Sequence, residues 1–359
     1  MSHIQAAREN QLRNAWQHGN RNAMVSTTPE AGNSYVIDTK SGAELSRLYD
    51  QDQLMTNVAG GVFPKRLDLT NVYSILDLAC GPGGWAIEAA HSLQVPCVGV
   101  DLSSSMIQYA RMRAQTAGID DLATFQMLDI TQPLPFEDGS LDLVHARFLA
   151  GVVPKATWPA LLHDCFRVLN VGGYVLLTEA EWATTTSPAA EQLAHKATEA
   201  VQKAGLGFST TGRNLGVAHA LPALLRASGG RDVQSEAHLL NFSYRQPHYT
   251  AMVRNLWTTY QLMQPFLTRM GCGSQEEIFT LCDRLGEEVW EESFAGGMFL
   301  LRTWAQKSDE PQAEPEHFLP PSFPTIISTE RPWHPHEERC SDEPGSSSEQ
   351  EEESRCKRT

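Results

Sequence analysis

No run of apolar residues in this 359-residue chain reaches the roughly 20 positions that a membrane-spanning helix needs. Its opening, Met1-Ser-His-Ile-Gln-Ala-Ala-Arg-Glu-Asn10, lacks the apolar stretch of a secretory signal. Cysteine is sparse, with seven thiols at 80, 97, 165, 272, 282, 340 and 356 and no paired spacing. That pattern argues against a disulfide framework or a zinc site, so no metal is expected, and it suits reduced thiols in a cytoplasmic setting. Basic residues are also scarce, 28 Lys+Arg against 43 Asp+Glu, and nowhere clustered. The resulting net charge of −15 repels a phosphate backbone, so no nucleic-acid partner is expected.

The apolar content of 41% is ample for a large core. About half of the charge imbalance sits at one end, because residues 308–359 carry 13 acids and five Lys/Arg. That stretch is rich in Pro, Glu and Ser and has too little apolar surface to offset the entropy of ordering, which predicts a disordered acidic tail. His334 and His336 near Cys340 lack further partners at metal-ligand spacing and are read as part of this tail. Residues 1–40 are polar and are expected to form a flexible segment. The folded domain is then residues 41–307.

What the chain does have is Ile75-Leu-Asp-Leu-Ala-Cys-Gly-Pro-Gly-Gly-Trp-Ala86, followed by Val98-Gly-Val-Asp101. This reads as a buried strand, a glycine turn, a helix and a second strand ending in a carboxylate. Gly81 and Gly83 permit a tight turn and a close approach of backbone to ligand. Asp101, 20 residues beyond Gly81, can accept hydrogen bonds from a ribose diol. A nucleoside-bearing cofactor is therefore expected. The glycines alone also fit the dinucleotide fingerprint in its Ala-ending form, Gly81-x-Gly83-x-x-Ala86. Asp77 points the other way, since a carboxylate just before the turn would repel a pyrophosphate and attract a cation.

The order Asp77-x-Ala79-x-Gly81-x-Gly83 resembles the first motif of class I S-adenosylmethionine-dependent methyltransferases, with Ala79 where a glycine is usual, a small change. The likeness continues through Leu102-Ser-Ser-Ser-Met106, Ala123-Thr-Phe-Gln-Met-Leu-Asp-Ile130 and Pro133 to His145. It ends in Leu161 to Thr178, which resembles the signature of the subgroup related to quinone-biosynthesis methyltransferases. The resemblance implies a Rossmann-like, doubly wound α/β fold with a mostly parallel seven-stranded sheet. It implies S-adenosylmethionine as cofactor, with Asp77, Ala79, Gly81, Gly83, Asp101, Leu102, Met106, Asp129, Ile130, His145 and Tyr49 around it. Met106 would pack on the adenine and Asp129 would face the adenine amino group.

Strands are expected near 74–79, 96–100, 123–128, 141–146 and 173–179, then 233–244 and 297–304, with ligands at their carboxyl ends. Ser41 with Glu44 reads as a capping box opening a helix to Met55. In related enzymes such a helix folds over the cofactor, which nominates Tyr49, Gln53 and Met55. Helical insertions near 187–230 and 248–292 would form a substrate cap. They carry Trp182, Phe208, His219, Phe242, Tyr249, Trp257 and Tyr260, a supply that suits an apolar or aromatic small molecule, although each is individually more at home in a core. His145 is the first candidate for a general base, with Glu179 and Glu181 next. Arg147 and Phe148 are placed by analogy at the cofactor's methionine end or the pocket entrance.

The strand-four exit, Val144-His-Ala-Arg-Phe148, has no Asn/Asp-Pro-Pro-Tyr, no Pro-Cys and no metal-binding acid. Resemblance to DNA amino-methylating, cytosine-C5 and metal-dependent catechol enzymes therefore fails there. The reading is a methyltransferase acting on a small molecule, with a place in secondary metabolism. A nicotinamide-dependent oxidoreductase, a protein or RNA methyltransferase, and a cofactor-binding regulatory protein stay open as alternatives.

Overall fold

The computed structural model describes residues 36–37 and 42–309. Ser41, His334, His336, Cys340 and nearly all of the expected flexible segment and acidic tail lie outside the described residues.

The described residues begin, after a short bend at 36–37, with helix α1 (Gly42–Val58), then alternate strand and helix: β1 (Ile75–Leu78), α2 (Gly84–Leu93), β2 (Cys97–Asp101), α3 (Ser104–Ala117), β3 (Ala123–Met127), β4 (Leu141–Arg147), α4 (Trp158–Val168) and β5 (Leu169–Ala180). These five strands run parallel in the order β3-β2-β1-β4-β5. β1 is buried at every residue, as expected of a central parallel strand covered on both faces. Helix α3 is set by its ends: the Ser103 hydroxyl accepts from the Met106 amide, and Gly118 takes the left-handed conformation just beyond the last turn.

Beyond β5 come β6 (Thr184–Thr185), α5 (Pro188–Lys203), α6 (Val217–Ala227), β7 (Gly230–Asn241), α7 (Tyr249–Arg269), α8 (Gln275–Glu288) and β8 (Gly296–Lys307). β8 lies antiparallel beside β5, and both β7 and β6 pair with it. The seven expected strands are present; β6 makes an eighth, two residues long and too short to leave a pattern in sequence.

Two cores cover the faces of the sheet. On one, α2 and α3 pack Trp85, Ala86, Ala89, Ile107 and Ala110 against Ile75, Leu143, Leu176 and Trp304. On the other, α4 and α6 pack Trp158, Leu162, Phe166 and Leu221 against Leu76, Val144 and Val175. A third cluster is the cap, built from α5, α7 and α8. Its apolar positions recur at helical spacing, as at Met252, Val253, Leu256, Tyr260 and Met263. Leu54 and Met55 of α1 belong to this cap cluster. A buried polar tie reinforces the contact, with Arg47 Nη1 of α1 donating to Asn255 Oδ1 of α7 at 2.9 Å while both Glu44 carboxylate oxygens accept from the Nε and Nη2 edge of the same guanidinium. Among the described residues no helix is long and apolar enough to cross a membrane.

Candidate active site

A cavity of about 150 Å³ lies at the carboxyl ends of β1, β2 and β4, beneath α1. This is the crevice where the strand order reverses, the usual ligand position in doubly wound sheets. Of the residues anticipated from sequence, Ala79, Gly81, Asp101, Leu102, Met106, Asp129, Ile130, Arg147 and Phe148 line it. Asp101 bridges two loops: Oδ2 accepts from the Gly81 amide at 2.9 Å and Oδ1 from the Ser103 amide at 2.8 Å. Burial pushes its carboxyl above the ordinary value, and those two amides pull the other way. Asp129 Oδ1 is engaged by the amide and hydroxyl of Thr131, a local turn that fixes the carboxylate at the cavity wall.

The glycines divide the labour. Gly81 has φ +52, and a Cβ there would meet nothing within 4 Å, so this backbone is open to a ligand. Gly83 does not line the cavity; a Cβ there would come within 2.7 Å of Ala110 and 2.8 Å of the Phe125 ring, so its glycine serves helix packing. Ala79 has φ +50. The substitution is therefore less neutral than its size implies, because an alanine is held in the left-handed region. Phe148 shares that strain at φ +58 and lines the cavity.

Asp77 and His145, expected at the cofactor, do not line the cavity. Asp77 is 2% and His145 1% exposed. Their side chains meet at 2.7 Å, and the imidazole lies flat on the Trp85 indole. Burial pushes the Asp77 carboxyl up to about 8 and the imidazole well below its usual range, so the pair is stable when it shares a single proton. Enclosed in this way, neither side chain reaches the cavity. Glu181, the other candidate base, is occupied elsewhere, accepting from the Leu215 and Gly216 amides at the start of α6. Glu179 accepts from the Leu149 amide at 2.6 Å and is buried, with its carboxyl raised to about 8. Tyr49 is turned from the cavity too, lying under the Arg113 guanidinium and accepting from Gln53. The face of α1 that lines the cavity is Leu48, Gln51 and Asp52.

Asp52 was not anticipated. Its carboxylate pairs with Arg147, which also donates to Thr56 Oγ1 at 3.3 Å, and lies 3.8 Å from Arg113. The charged lining is therefore Asp52, Asp101 and Asp129 against the single guanidinium of Arg147. None of the seven cap aromatics named from sequence lines the cavity, and Phe242, Tyr249 and Tyr260 are fully packed in the cap core. Among the described residues no group of three or more His, Cys, Asp or Glu side chains is arranged to hold a metal ion.

Residues 75–173 match the family model described as a methyltransferase domain. This stretch carries a methyltransferase domain. Similar proteins include the demethylmenaquinone methyltransferase of Lactococcus lactis subsp. lactis (strain IL1403), 32% identical over 119 residues, 33% of this chain and 45% of that protein. The 27-O-demethylrifamycin SV methyltransferase of Amycolatopsis mediterranei (strain S699) is 29% identical over 169 residues, 43% of this chain and 60% of that protein. The chain thus spans less than two thirds of the length of these relatives. Among solved structures, Haemonchus contortus phosphoethanolamine N-methyltransferase 2 in complex with S-adenosyl-L-methionine aligns at a TM-score of 0.42 and 20% identity, over 72% of this chain and 53% of that one. The methyltransferase domain contains every strand-end acid that lines the cavity, whereas α1 and the cap lie outside residues 75–173.

Proposed function

We propose that this chain moves a methyl group from S-adenosylmethionine to a small-molecule acceptor. The observation that carries the reading is the charge of the lining, three carboxylates to one guanidinium. A dinucleotide would bring a doubly charged pyrophosphate into that surface, whereas a sulfonium cofactor brings positive charge and no phosphate. The residues fit the nucleoside: Asp101 for the ribose diol, Met106, Leu128 and Ile130 as an apolar wall for the adenine, and Asp129 beside it. When bound, the cofactor supplies an activated methyl group, so the chemistry is an in-line displacement in which one carbon–sulfur bond is exchanged for a bond to the acceptor.

The chain's own contribution is then orientation and exclusion of water, an effect worth about 7–11 kcal/mol in well-oriented systems. Phe148, which packs on the cap core, joins Val152 and Leu48 as apolar lining of the cavity, which supports an apolar or aromatic acceptor. Neither His145 nor Glu181 is in this lining, so we assign no general base to them. The likeness to the rifamycin-related enzyme supports a place in secondary metabolism. Calorimetric titration with S-adenosylhomocysteine and, separately, NADH tests the reading. Binding of the first alone is the expected result; binding of NADH alone would move the chain to the oxidoreductases.

A further inference from the structure

Three sources of positive potential converge at the Asp52 carboxylate. Arg147 forms an ion pair with its Oδ1, and Arg113 approaches its Oδ2 to 3.8 Å. The third is the amino end of α2. A Cβ on Gly84, the first residue of that helix, would lie 1.4 Å from Asp52 Oδ2, so the carboxylate fills the space that the glycine leaves. Gly83, the residue capping α2, provides no side-chain acceptor for its amides. A helix start of this kind, flanked by guanidinium groups, is an anion site. Here a carboxylate from another part of the chain lies against that helix start, 8% exposed and inside the cavity wall.

We propose that Asp52 is a built-in competitor for the carboxylate of the cofactor's amino-acid end. The inference rests on reading the cavity as the S-adenosylmethionine site. Arg147 is the only cation in the cavity lining among the described residues, and Asp52 already neutralises it. An incoming α-carboxylate therefore replaces Asp52 on Arg147, one ion pair for another, while Asp52 keeps Arg113. Because Asp52 sits in α1, and α1 is tied to the cap by the Arg47–Asn255 hydrogen bond, the exchange couples filling of the amino-acid subsite to the seating of α1 and the cap. A nucleoside without the amino-acid end would enter with the Asp52–Arg147 pair intact.

Titration of wild type, Asp52→Asn and Arg147→Gln with S-adenosylhomocysteine and with 5′-methylthioadenosine separates the possibilities. The two ligands share the adenosine and thioether and differ in the amino-acid end. Asp52→Asn should bind S-adenosylhomocysteine about tenfold more tightly and Arg147→Gln about tenfold more weakly, near 1.4 kcal/mol each way. Methylthioadenosine should bind all three proteins alike, which also reports that both variants fold. Weaker or unchanged binding of S-adenosylhomocysteine to Asp52→Asn would overturn the proposal, since Asp52 would then be a ligand of the ammonium group or a bystander. Parallel shifts for both ligands would overturn it by showing a change of cavity shape alone. If wild type binds neither ligand, the reading of the cavity itself fails, and the competition with it.

Discussion

Nδ1 of His145 lies 2.7 Å from Oδ1 of Asp77, and the same ring stacks on Trp85 with centroids 3.5 Å apart. The contact follows from register, because β1 and β4 are parallel neighbours and Asp77 stands directly opposite His145. One face of the imidazole is covered by the indole and one nitrogen is taken by the carboxyl, which leaves a positioning role within the sheet. His145→Ala should therefore lower the unfolding free energy by about 3 kcal/mol, from a lost buried hydrogen bond and the space left beneath Trp85. Affinity for S-adenosylhomocysteine should stay near that of wild type. Denaturant melts and calorimetry check both; unchanged stability with abolished turnover would instead restore the histidine to the chemistry.

Glu179 makes stability depend on pH. Burial raises its carboxyl from 4.5 to about 8, so between those values the folded protein keeps a proton that the unfolded chain releases. Stability is then full below the unfolded value and falls as pH rises through the folded one, by about 1.4 kcal/mol per unit for one proton. Asp77 acts in the same direction. His145 acts oppositely, its pKa lowered from 6.5, so its effect is confined to the acid side. Between pH 6.5 and 8 the two acids act without that opposition. Urea midpoints across this window should decline in wild type, and Glu179→Gln should flatten the decline by about one proton's worth. A Glu179→Gln profile parallel to wild type would show that the carboxyl titrates normally.

Ala79 shows where sequence reading stopped short. The strand, turn and helix around it were legible because apolar runs and glycines encode them, yet the φ of +50 at residue 79 is a property of the finished turn. An L-residue in that region is strained by about 1–2 kcal/mol, partly offset by the greater freedom that glycine loses on folding. Ala79→Gly should accordingly stabilise the protein by about 0.5–1 kcal/mol, read as a higher denaturant midpoint at constant slope. A lower midpoint would mean that the alanine methyl contributes packing that outweighs the strain.

The division between legible and hidden site residues has a physical basis. Asp101 and Asp129 follow from the rule that strand ends hold the ligand, Met106 and Ile130 from the family resemblance, and all four line the cavity. Asp77 satisfies the same rule in sequence, but its side chain is turned to the neighbouring strand, and which way a strand-end side chain points is decided by register. On α1 the error was one of phase. Tyr49 and Gln53 form a hydrogen-bonded i,i+4 pair on one face, while Leu48, Gln51, Asp52 and Met55 recur at i, i+3, i+4 and i+7 on another. Counting from Leu48 would have put Asp52 toward the core. Its pairing with Arg147, 95 residues away, had no local signal.

On the proposed reading of the cavity, Asp101 marks its nucleoside part, as Arg147 marks its amino-acid part. The two oxygens of Asp101 hold the Gly81 and Ser103 amides, which leaves acceptor capacity for a diol at the lining. Asp101→Ala removes those acceptors together, so the loss should fall on any ligand that carries the ribose. S-adenosylhomocysteine and methylthioadenosine should both bind more weakly, by about 1.5–3 kcal/mol, the range for hydrogen bonds to a charged group. The protein should also unfold somewhat earlier, because the Gly81 turn loses its anchor. The Asp52 and Arg147 substitutions predict the reverse selectivity, moving only the ligand with the amino-acid end. A loss confined to S-adenosylhomocysteine in Asp101→Ala would therefore place the ribose elsewhere in the cavity and reverse the orientation assigned to the cofactor.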